Sequence, residues 1–388
     1  MSGSTPQQFR VRTARPTVLA AALVLVLLVP VSFLFFQSYD SVNDRRTATQ
    51  REIQGVAYLR ALGHLTLTIA EAQAASVAGQ GANQEAVAAA VSQVAAVDDR
   101  YGDALRTHDR WSGVRAKIDS LRSDPRANAP TALVAYQEVT DLLLGLYGKV
   151  RDQSGLVHDP DADAFQLQES VGANLPIAVV AAGRLADNAV YASGLPEAQR
   201  LAVLPDIALA RVTLTYSAGR LIDGLRAASD DTESRTLGGN VLSTLDRFQL
   251  TTQALLSVSG QAGLPASDPS MIAVQRAEVQ KASGELSATI LNEADRLLDS
   301  RRDALTRDRL LVLAAGILAL VLTLLAFVVL VLGARTARTN ARLAARASAP
   351  EPIPQRQRPV GGPPEDQAAW GPARAGVVAQ RERSGAPR

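Results

Sequence analysis

Three aspartates with the spacing of calcium ligands stand in the segment SGLVHDPDADAFQLQES. Asp159, Asp161 and Asp163 alternate with other residues, as the first carboxylate ligands of an EF-hand loop do. Such a loop also needs Gly at its sixth position and Glu at its twelfth. Counted from Asp159, these positions hold Ala164 and Ser170. The calcium interpretation therefore fails, and we expect no metal site here.

The same aspartates fit the start of a helix. Asp159 is a good N-cap residue, and Pro160 suits the first helical position because its missing N–H would have no partner there. Asp161 and Asp163 then place negative charge near the positive end of the helix dipole. Pro176 lies further inside this predicted helix, where it removes one backbone hydrogen bond. We interpret Pro176 as a kink, with a hinge or a pocket wall as the alternative.

The composition excludes several kinds of chemistry. The chain has 388 residues, a net charge of +2, three histidines and no cysteine, so disulfides and thiolate metal sites are ruled out. It contains no Walker loop, no GxGxxG after a strand, no HExxH and no GxSxG. Acidic pairs such as Asp98–Asp99 are interpreted as solvated charges. We therefore expect neither an enzyme nor a bound cofactor.

Arginines on otherwise apolar helix faces remain as candidates for binding chemistry. A buried guanidinium needs an acidic partner, and a small anion can take that role. The alternative for each arginine is a surface position or an internal ion pair. A tyrosine close to them in sequence could contact the same ligand. The candidate ligand-binding residues are Arg60, Arg184, Arg211, Arg220 and Tyr216.

Two uncharged runs organise the elements that must position these residues. Residues 17–36 and residues 310–332 contain no charged side chain. Each run is long enough to cross a hydrocarbon core of about 30 Å as a helix. The first run is longer than the apolar part of a signal peptide, and no small-x-small cleavage site follows it. We predict that both runs are transmembrane helices.

The charged flanks predict the orientation of the two helices. Arginines precede the first run and follow the second, which places both termini in the cytoplasm by the positive-inside rule. We predict a two-pass plasma membrane protein with a cytoplasmic N-terminus (1–16), an extracytoplasmic region (37–309) and a cytoplasmic tail (333–388). The tail is rich in Pro, Gly and Arg, so we expect it to be disordered. Its basic charge should attract anionic lipid of the bilayer.

The extracytoplasmic region has the sequence pattern of helices throughout. Apolar residues recur at spacings of three or four, and Gly- and Pro-containing segments divide the region into seven helices. The second is expected to run without interruption from Gln84 to Leu121, and the last from about Ser270 into the second span. Long helices need packing partners, and short turns favour antiparallel neighbours. We predict an all-α fold: a long antiparallel bundle, in one or two stacked four-helix layers, between the two spans.

The segment SGLVHDPDADAFQLQESVGANLP resembles a segment of the extracytoplasmic helical domains of bacterial chemoreceptors and sensor histidine kinases. That segment has the form Leu-x-x-Asp-Pro-Asp-x-Asp-Ser-Tyr, followed by Leu-Pro. The stretch GVAYLRAL is also similar to the first helix of those domains. Ala164 and Phe165 replace the usual Ser and Tyr. The matching residues are Leu156, Asp159, Pro160, Asp161, Asp163, Leu175 and Pro176.

The resemblance implies a homodimeric sensor of small ligands, often organic anions. Such receptors continue into a HAMP linker and an output module, whereas the residues after 332 contain no linker pattern, kinase histidine or ATP-binding segment. We therefore expect a receptor-like sensor that signals through a partner protein. The alternative is a structural or scaffolding envelope protein whose bundle binds a protein. No nucleic-acid partner is expected.

Overall fold

The computed structural model describes residues 16–123, 129–156, 162–231, 235–260 and 268–347. Every regular element in these ranges is a helix, and they contain no strand, which confirms the predicted all-α class. A π-helical turn, Ser170–Asn174, joins the fifth helix to the sixth. The helices are α1 (Pro16–Val77), α2 (Gln84–Leu105), α3 (His108–Ser123), α4 (Ala129–Ser154), α5 (Ala162–Glu169), α6 (Leu175–Ser193), α7 (Glu197–Asp231), α8 (Arg235–Val258) and α9 (Pro269–Ala347).

The chain divides into two units, Met1–Phe327 and Val328–Arg388. In the second unit, α9 continues to Ala347, so the prediction of a disordered tail is wrong for residues 333–347. This stretch is rich in Ala, Arg and Leu, which favour helix, while the Pro and Gly residues are concentrated after it. Residues 348–388 lie outside the described ranges, and disorder there stays a prediction.

Helix α1 runs antiparallel to α4 in the first unit. Thr66 lies beside Tyr147, with their hydroxyls 3.3 Å apart, and ten residues further along α1 the Ser76 hydroxyl donates to Tyr136. The apolar stripe of α1, including Leu59, is fully buried against its neighbours. Burial of one such leucine side chain stabilises the fold by roughly 1.5–3 kcal/mol.

Helices α6 and α9 complete this core. Residues of α1, α4, α6 and α9 line one small cavity, among them Gly63, Tyr147, Pro176 and Ser287. Helix α9 runs antiparallel to α1, because Arg301 bonds to Glu52 and Arg276 bonds to the carbonyl of Ala70. Four long helices therefore surround one interior, in which a few hydroxyl groups interrupt an aliphatic lining.

The predicted helix from Gln84 to Leu121 is broken in the structure. Helix α2 ends at Leu105 and α3 begins at His108. Between them Arg106 adopts a left-handed conformation with φ 50°, and the N–H of Thr107 bonds to the carbonyl of Gly102. No Gly or Pro marks the break in sequence. Tertiary hydrogen bonds to Asp98, described below, hold it instead.

Pro176 lies inside a continuous run of helical residues, 162–193, as predicted, and closely follows the π-helical turn. The N–H of Leu175 bonds to the carbonyl of Ser170, five residues back, and the wider turn brings Pro176 into the first turn of α6. The proline removes one backbone hydrogen bond of this helix, and the π-helical turn just before it is the local change in the ladder that accompanies that loss. Both Leu175 and Pro176 line the small central cavity, as expected for the pocket-wall alternative.

The helix start that the sequence predicts at Asp159–Asp163 lies only partly within the described residues. Asp159, Pro160 and Asp161 lie outside the described residues. Asp163 falls in the first turn of α5, which begins at Ala162. The backbone therefore agrees with a helix start close to the predicted position, and the capping role of the aspartates stays a prediction.

Two helices of the described chain are long and apolar enough to cross a membrane, judged by length and composition. In α9 the qualifying segment is Pro269–Gly333, which includes an 18-residue window with a mean hydropathy of 3.1, and it contains the predicted second span. In α7 it is Glu197–Asp230, which includes an 18-residue window with a mean hydropathy of 1.2. The predicted first span lies in α1, but most of its side chains before Leu28 are outside the description. Membrane crossing stays a prediction.

Candidate functional site

Two of the predicted ligand-binding arginines are occupied by partners within the protein. Arg60 of α1 donates to Asp295 of α9 at 2.6 Å and to Asn292 at 3.1 Å. Arg211 of α7 donates to the carbonyls of Leu256 and Gly260 at the end of α8, where helix carbonyls lack intrahelical partners. Partial burial lowers the pKa of Arg211. Each of these arginines connects a pair of helices.

Arg220 and Tyr216 lie on the exposed surface of α7, one turn apart. Tyr216 is 70% exposed, and Arg220 has no hydrogen bond or ion pair with any described residue. Neither side chain is among the residues that line the small central cavity or the larger cavity at Arg184. The five predicted residues are therefore distributed over three helix pairs and one open surface, and they do not form a single pocket. Their role in ligand binding stays a prediction.

Arg184 is the predicted arginine that lines a sizeable cavity. This cavity lies between α4, α6 and α7 and has a volume of about 190 Å³. Its walls are mostly aliphatic side chains from the three helices. Five polar residues interrupt the aliphatic lining: Gln137, Arg184, Asn188, Asp206 and Thr213.

Arg184 is anchored on one edge of its guanidinium. Its Nη2 donates to Asp141 at 2.6 Å, to the Thr140 hydroxyl at 2.8 Å and to the Gln137 carbonyl at 3.2 Å. Its Nε is buried and has no partner among the described residues. Asn188, one turn further along α6, is also buried and makes no hydrogen bond within the described chain. The cavity is thus lined by polar groups that a ligand could satisfy.

A buried ion pair lies immediately behind this cavity. Asp187, the residue before Asn188, has its Oδ1 3.0 Å from Arg276 Nε of α9, and the two side chains are 4% and 7% exposed. Gln73 of α1 donates to the other oxygen of Asp187 at 2.8 Å. Burial raises the pKa of Asp187 to about 6, against the opposing influence of Arg276 and Gln73. Three helices are therefore joined at one carboxylate.

A second buried carboxylate sits at the corner between α2 and α3. Asp98 Oδ1 accepts hydrogen bonds from Tyr58 at 2.8 Å and from Thr107 at 2.6 Å. Its Oδ2 lies 2.7 Å from Nδ1 of His108. A side chain at Gly102 would overlap the His108 ring, so this close packing requires glycine. Asp98 raises the pKa of His108, and burial raises that of Tyr58.

The sequence interpretation missed both carboxylates. It placed the Asp98–Asp99 pair in solvent, which is wrong for Asp98, since that residue is buried, and agrees with Asp99, which is exposed. The burial of Asp187 could have been predicted from the sequence, because this residue interrupts the apolar run IAVVAAGRLADNAV at a position on the buried face of α6. No group of three or more His, Asp or Glu among the described residues is arranged to hold a metal ion.

The chain matches no protein family model, no curated protein and no solved structure. The resemblance to chemoreceptors and sensor kinases accordingly rests on the sequence segments given above, and it stays a prediction.

Proposed function

We propose that the protein is a receptor-like sensor, anchored in the plasma membrane by two helices, whose outer bundle responds to a small ligand. It acts as a homodimer and signals through a partner protein. The observation that supports this most is the continuity of α1 and α9. Each is one helix through part of the bundle core and through an uncharged segment of membrane-spanning length.

Contacts between α1 and α9 extend along the bundle as far as the uncharged segments. From the interior outward they join Arg276 to the Ala70 carbonyl, Asp295 to Arg60, Arg301 to Glu52, and Arg309 to Tyr39. Helices connected in this way move as packed units, and shifts of about 1–2 Å are typical of switching transitions. A change near Asp187 would therefore be transmitted towards the membrane by α9.

The membrane part of the proposal is supported by the surfaces of the two uncharged segments. Phe35 of α1 packs against Gly316 of α9, and large side chains such as Leu318 and Phe327 are more than half exposed. Exposed apolar surface on this scale is stable in lipid and unfavourable in water. In this arrangement both termini lie in the cytoplasm and residues 37–309 lie outside it.

Cysteine labelling tests the topology, because the native chain contains no cysteine. A Ser257→Cys variant should react with a membrane-impermeant maleimide on intact cells. A Thr339→Cys variant should react only after permeabilisation. Both native side chains are exposed, so a difference in reactivity reports on the membrane. Equal labelling of both positions on intact cells would contradict the two-pass topology.

Spin-label distances test the sensor function. Arg45 and Thr306 are exposed residues on α1 and α9, and cysteines at both positions carry labels near the predicted outer face of the membrane. We expect the distance distribution of the full chain in nanodiscs to shift by about 1–2 Å when a binding compound from a panel of amines, amino acids and organic acids is added. An unchanged distribution with every compound would contradict a sensor.

A scaffold that binds a protein partner is the second candidate function. Its support is the outer face of α7, where large apolar side chains are well exposed in a row: Leu201, Leu209, Val212 and Tyr216. Crosslinking in native membranes separates the two functions. A stable partner captured equally well with and without small molecules favours the scaffold, whereas capture that depends on a small molecule favours the sensor.

A further inference from the structure

We propose that the cavity between α4, α6 and α7 binds a small aliphatic amine that also carries a neutral hydrogen-bonding group such as a hydroxyl. This inference rests on the proposed sensor function and names its class of ligand.

The volume limits the ligand to a small molecule. A cavity of about 150 Å³ accommodates benzene, so a volume of about 190 Å³ corresponds to about eight non-hydrogen atoms by the same proportion. The aliphatic walls, formed by residues such as Ile177, Val180 and Leu144, favour a branched hydrocarbon body. A nucleotide or a sugar phosphate is too large and too polar for this space.

Two polar groups on α6 define one end of the site. The Nε–H of Arg184 is buried without an acceptor, and Asn188 lies one helical turn away on the same wall, buried and without a hydrogen bond in the described chain. Buried donors are normally paired, and an unpaired one is unfavourable. A ligand oxygen placed between them would accept from Arg184 and bond to the Asn188 amide.

The charge of the site favours a cationic ligand. The guanidinium of Arg184 is already balanced by Asp141 at 2.6 Å. Asp206 of α7 is an exposed residue at the opposite edge of the cavity and forms no ion pair with a described residue. The lining therefore carries one uncompensated negative charge, which an ammonium group would neutralise. The resemblance to chemoreceptors implies an anionic ligand, whereas the charge of this cavity favours an amine.

The site also has a direct connection to α9. Asn188 would bond the ligand, and the preceding residue, Asp187, holds Arg276 of α9 at 3.0 Å. Occupation of the cavity would thus restrain the turn of α6 that carries the buried ion pair. This places the ligand next to the helix that the proposed function requires to move.

Three matched compounds test the ligand class on the full chain in detergent or nanodiscs. 2-Amino-3-methylbutan-1-ol carries both groups, valine replaces the hydroxyl with a carboxylate, and 3-methylbutanoate has no amine. By calorimetry we expect the amino alcohol to bind most tightly, valine more weakly, and 3-methylbutanoate not at all. Asp206→Asn should weaken binding of the amino alcohol by about tenfold or more, because a charge-assisted bond is lost.

Asp223→Asn is the matched control, since Asp223 is an exposed aspartate of the same helix that does not line the cavity. It should leave the affinity unchanged. Preference for 3-methylbutanoate, an unaltered affinity in Asp206→Asn, or no binding of any of the three compounds would overturn the proposed ligand class. Binding of the amino alcohol without a change in the α1–α9 distance would uphold the ligand class and overturn the sensor function. A change in the α1–α9 distance with 3-methylbutanoate alone would uphold the sensor function and overturn the ligand class.

Discussion

The two buried carboxylates of this protein are stabilised in different ways. Asp187, in the interior shared by α1, α6 and α9, faces a permanently charged and equally buried guanidinium. Asp98, at the α2–α3 corner, faces two hydroxyls and a histidine that is 46% exposed. The first site depends on one strong charge and the second on several weaker donors, so the two should respond differently to mutation and to pH.

The difference follows from the depth of each site. An arginine stays charged at every accessible pH, so it can accompany a carboxylate into an interior that water does not reach. A histidine changes its charge near neutral pH, and at an exposed corner it can exchange its proton with solvent. The structure therefore combines a permanent pair in the bundle core with a titratable pair at its edge.

Removal of Arg276 should have the largest effect. Arg276→Met leaves the Asp187 carboxylate buried without its charge partner, and breaking such a pair destabilises by about 3–5 kcal/mol. The free energy of unfolding, measured by urea titration followed by circular dichroism, checks this. The double variant Asp187→Leu/Arg276→Met should recover most of the loss, since an apolar pair of similar volume is often neutral or stabilising.

The matched control for this prediction is Arg247→Met. Arg247 forms an ion pair with Glu285 at 2.6 Å and is 60% exposed, so its loss should change stability by no more than about 1 kcal/mol. Equal effects of the two arginine substitutions would show that burial does not set the strength of these pairs.

Asp98→Asn should have an intermediate effect. The neutral amide still offers an oxygen to Tyr58 and Thr107, but the bonds are weaker and the charge beside His108 is lost. We expect a destabilisation of about 1–3 kcal/mol, measured by thermal unfolding. Asp99→Asn changes the next residue, which is exposed, and should be neutral. A harmless Asp98→Asn would mean that the corner is held by apolar packing alone.

His108 should make the corner dependent on pH. Its pKa is raised above 6.5 in the folded chain, so its contribution is fully present below pH 6.5 and is lost as the pH rises through the folded pKa. His108→Gln should therefore lower the melting temperature most at acidic pH and least at alkaline pH. His64→Gln, at an exposed histidine, should give no such trend. A constant difference between wild type and His108→Gln would contradict the linkage.

Asp187 titrates at a lower pH than His108, so the pH dependence of stability distinguishes the two sites. Its pKa is raised from 3.8 to about 6. The folded chain therefore holds this proton more tightly than the unfolded chain, and stability falls as the pH rises between these values. The pH dependence of His108→Gln should retain this acidic component and lose the component above 6.5.

The exposed pair between Arg60 and Asp295 should have the smallest effect. Both side chains are 43% exposed, and ion pairs in such positions contribute about 0–1 kcal/mol. Arg60→Ala should lower the free energy of unfolding by no more than this, and added salt should reduce the difference. Arg220→Ala, at an exposed arginine without a described partner, provides the baseline. A loss comparable with that of Arg276→Met would remove the distinction between core and surface pairs.

Most of the secondary structure could be predicted from local patterns. Apolar spacings of three and four identified the helices, and the Asp-Pro segment predicted a helix start within a few residues of Ala162. The break at Arg106 could not be predicted, because the bonds that hold it come from Asp98 and its neighbours and not from a Gly or Pro. Helix α9 extends beyond the predicted span to Ala347, because the stretch after residue 332 is rich in Ala and Arg, which favour helix, and the Pro and Gly residues of the tail come after it.

The candidate site was predictable only in part. Arg184 was selected because it interrupts an apolar face, and the structure places it in the wall of the cavity between α4, α6 and α7. The other polar residues that line this cavity could not be selected in the same way. Asp206 and Gln137 belong to other helices, and nothing in their local sequence distinguishes them from solvated residues.

The sequence by itself determined the helical class and the position of two uncharged segments, because helix periodicity and the absence of charge are properties of neighbouring residues. The tertiary structure decided which charges are buried and which residue balances each one. Asp187 and Arg276 are 89 residues apart in the chain, and an isolated helix cannot show that they meet. The free energy of a buried charge depends on the groups that surround it in space, so only the packed bundle could reveal these sites.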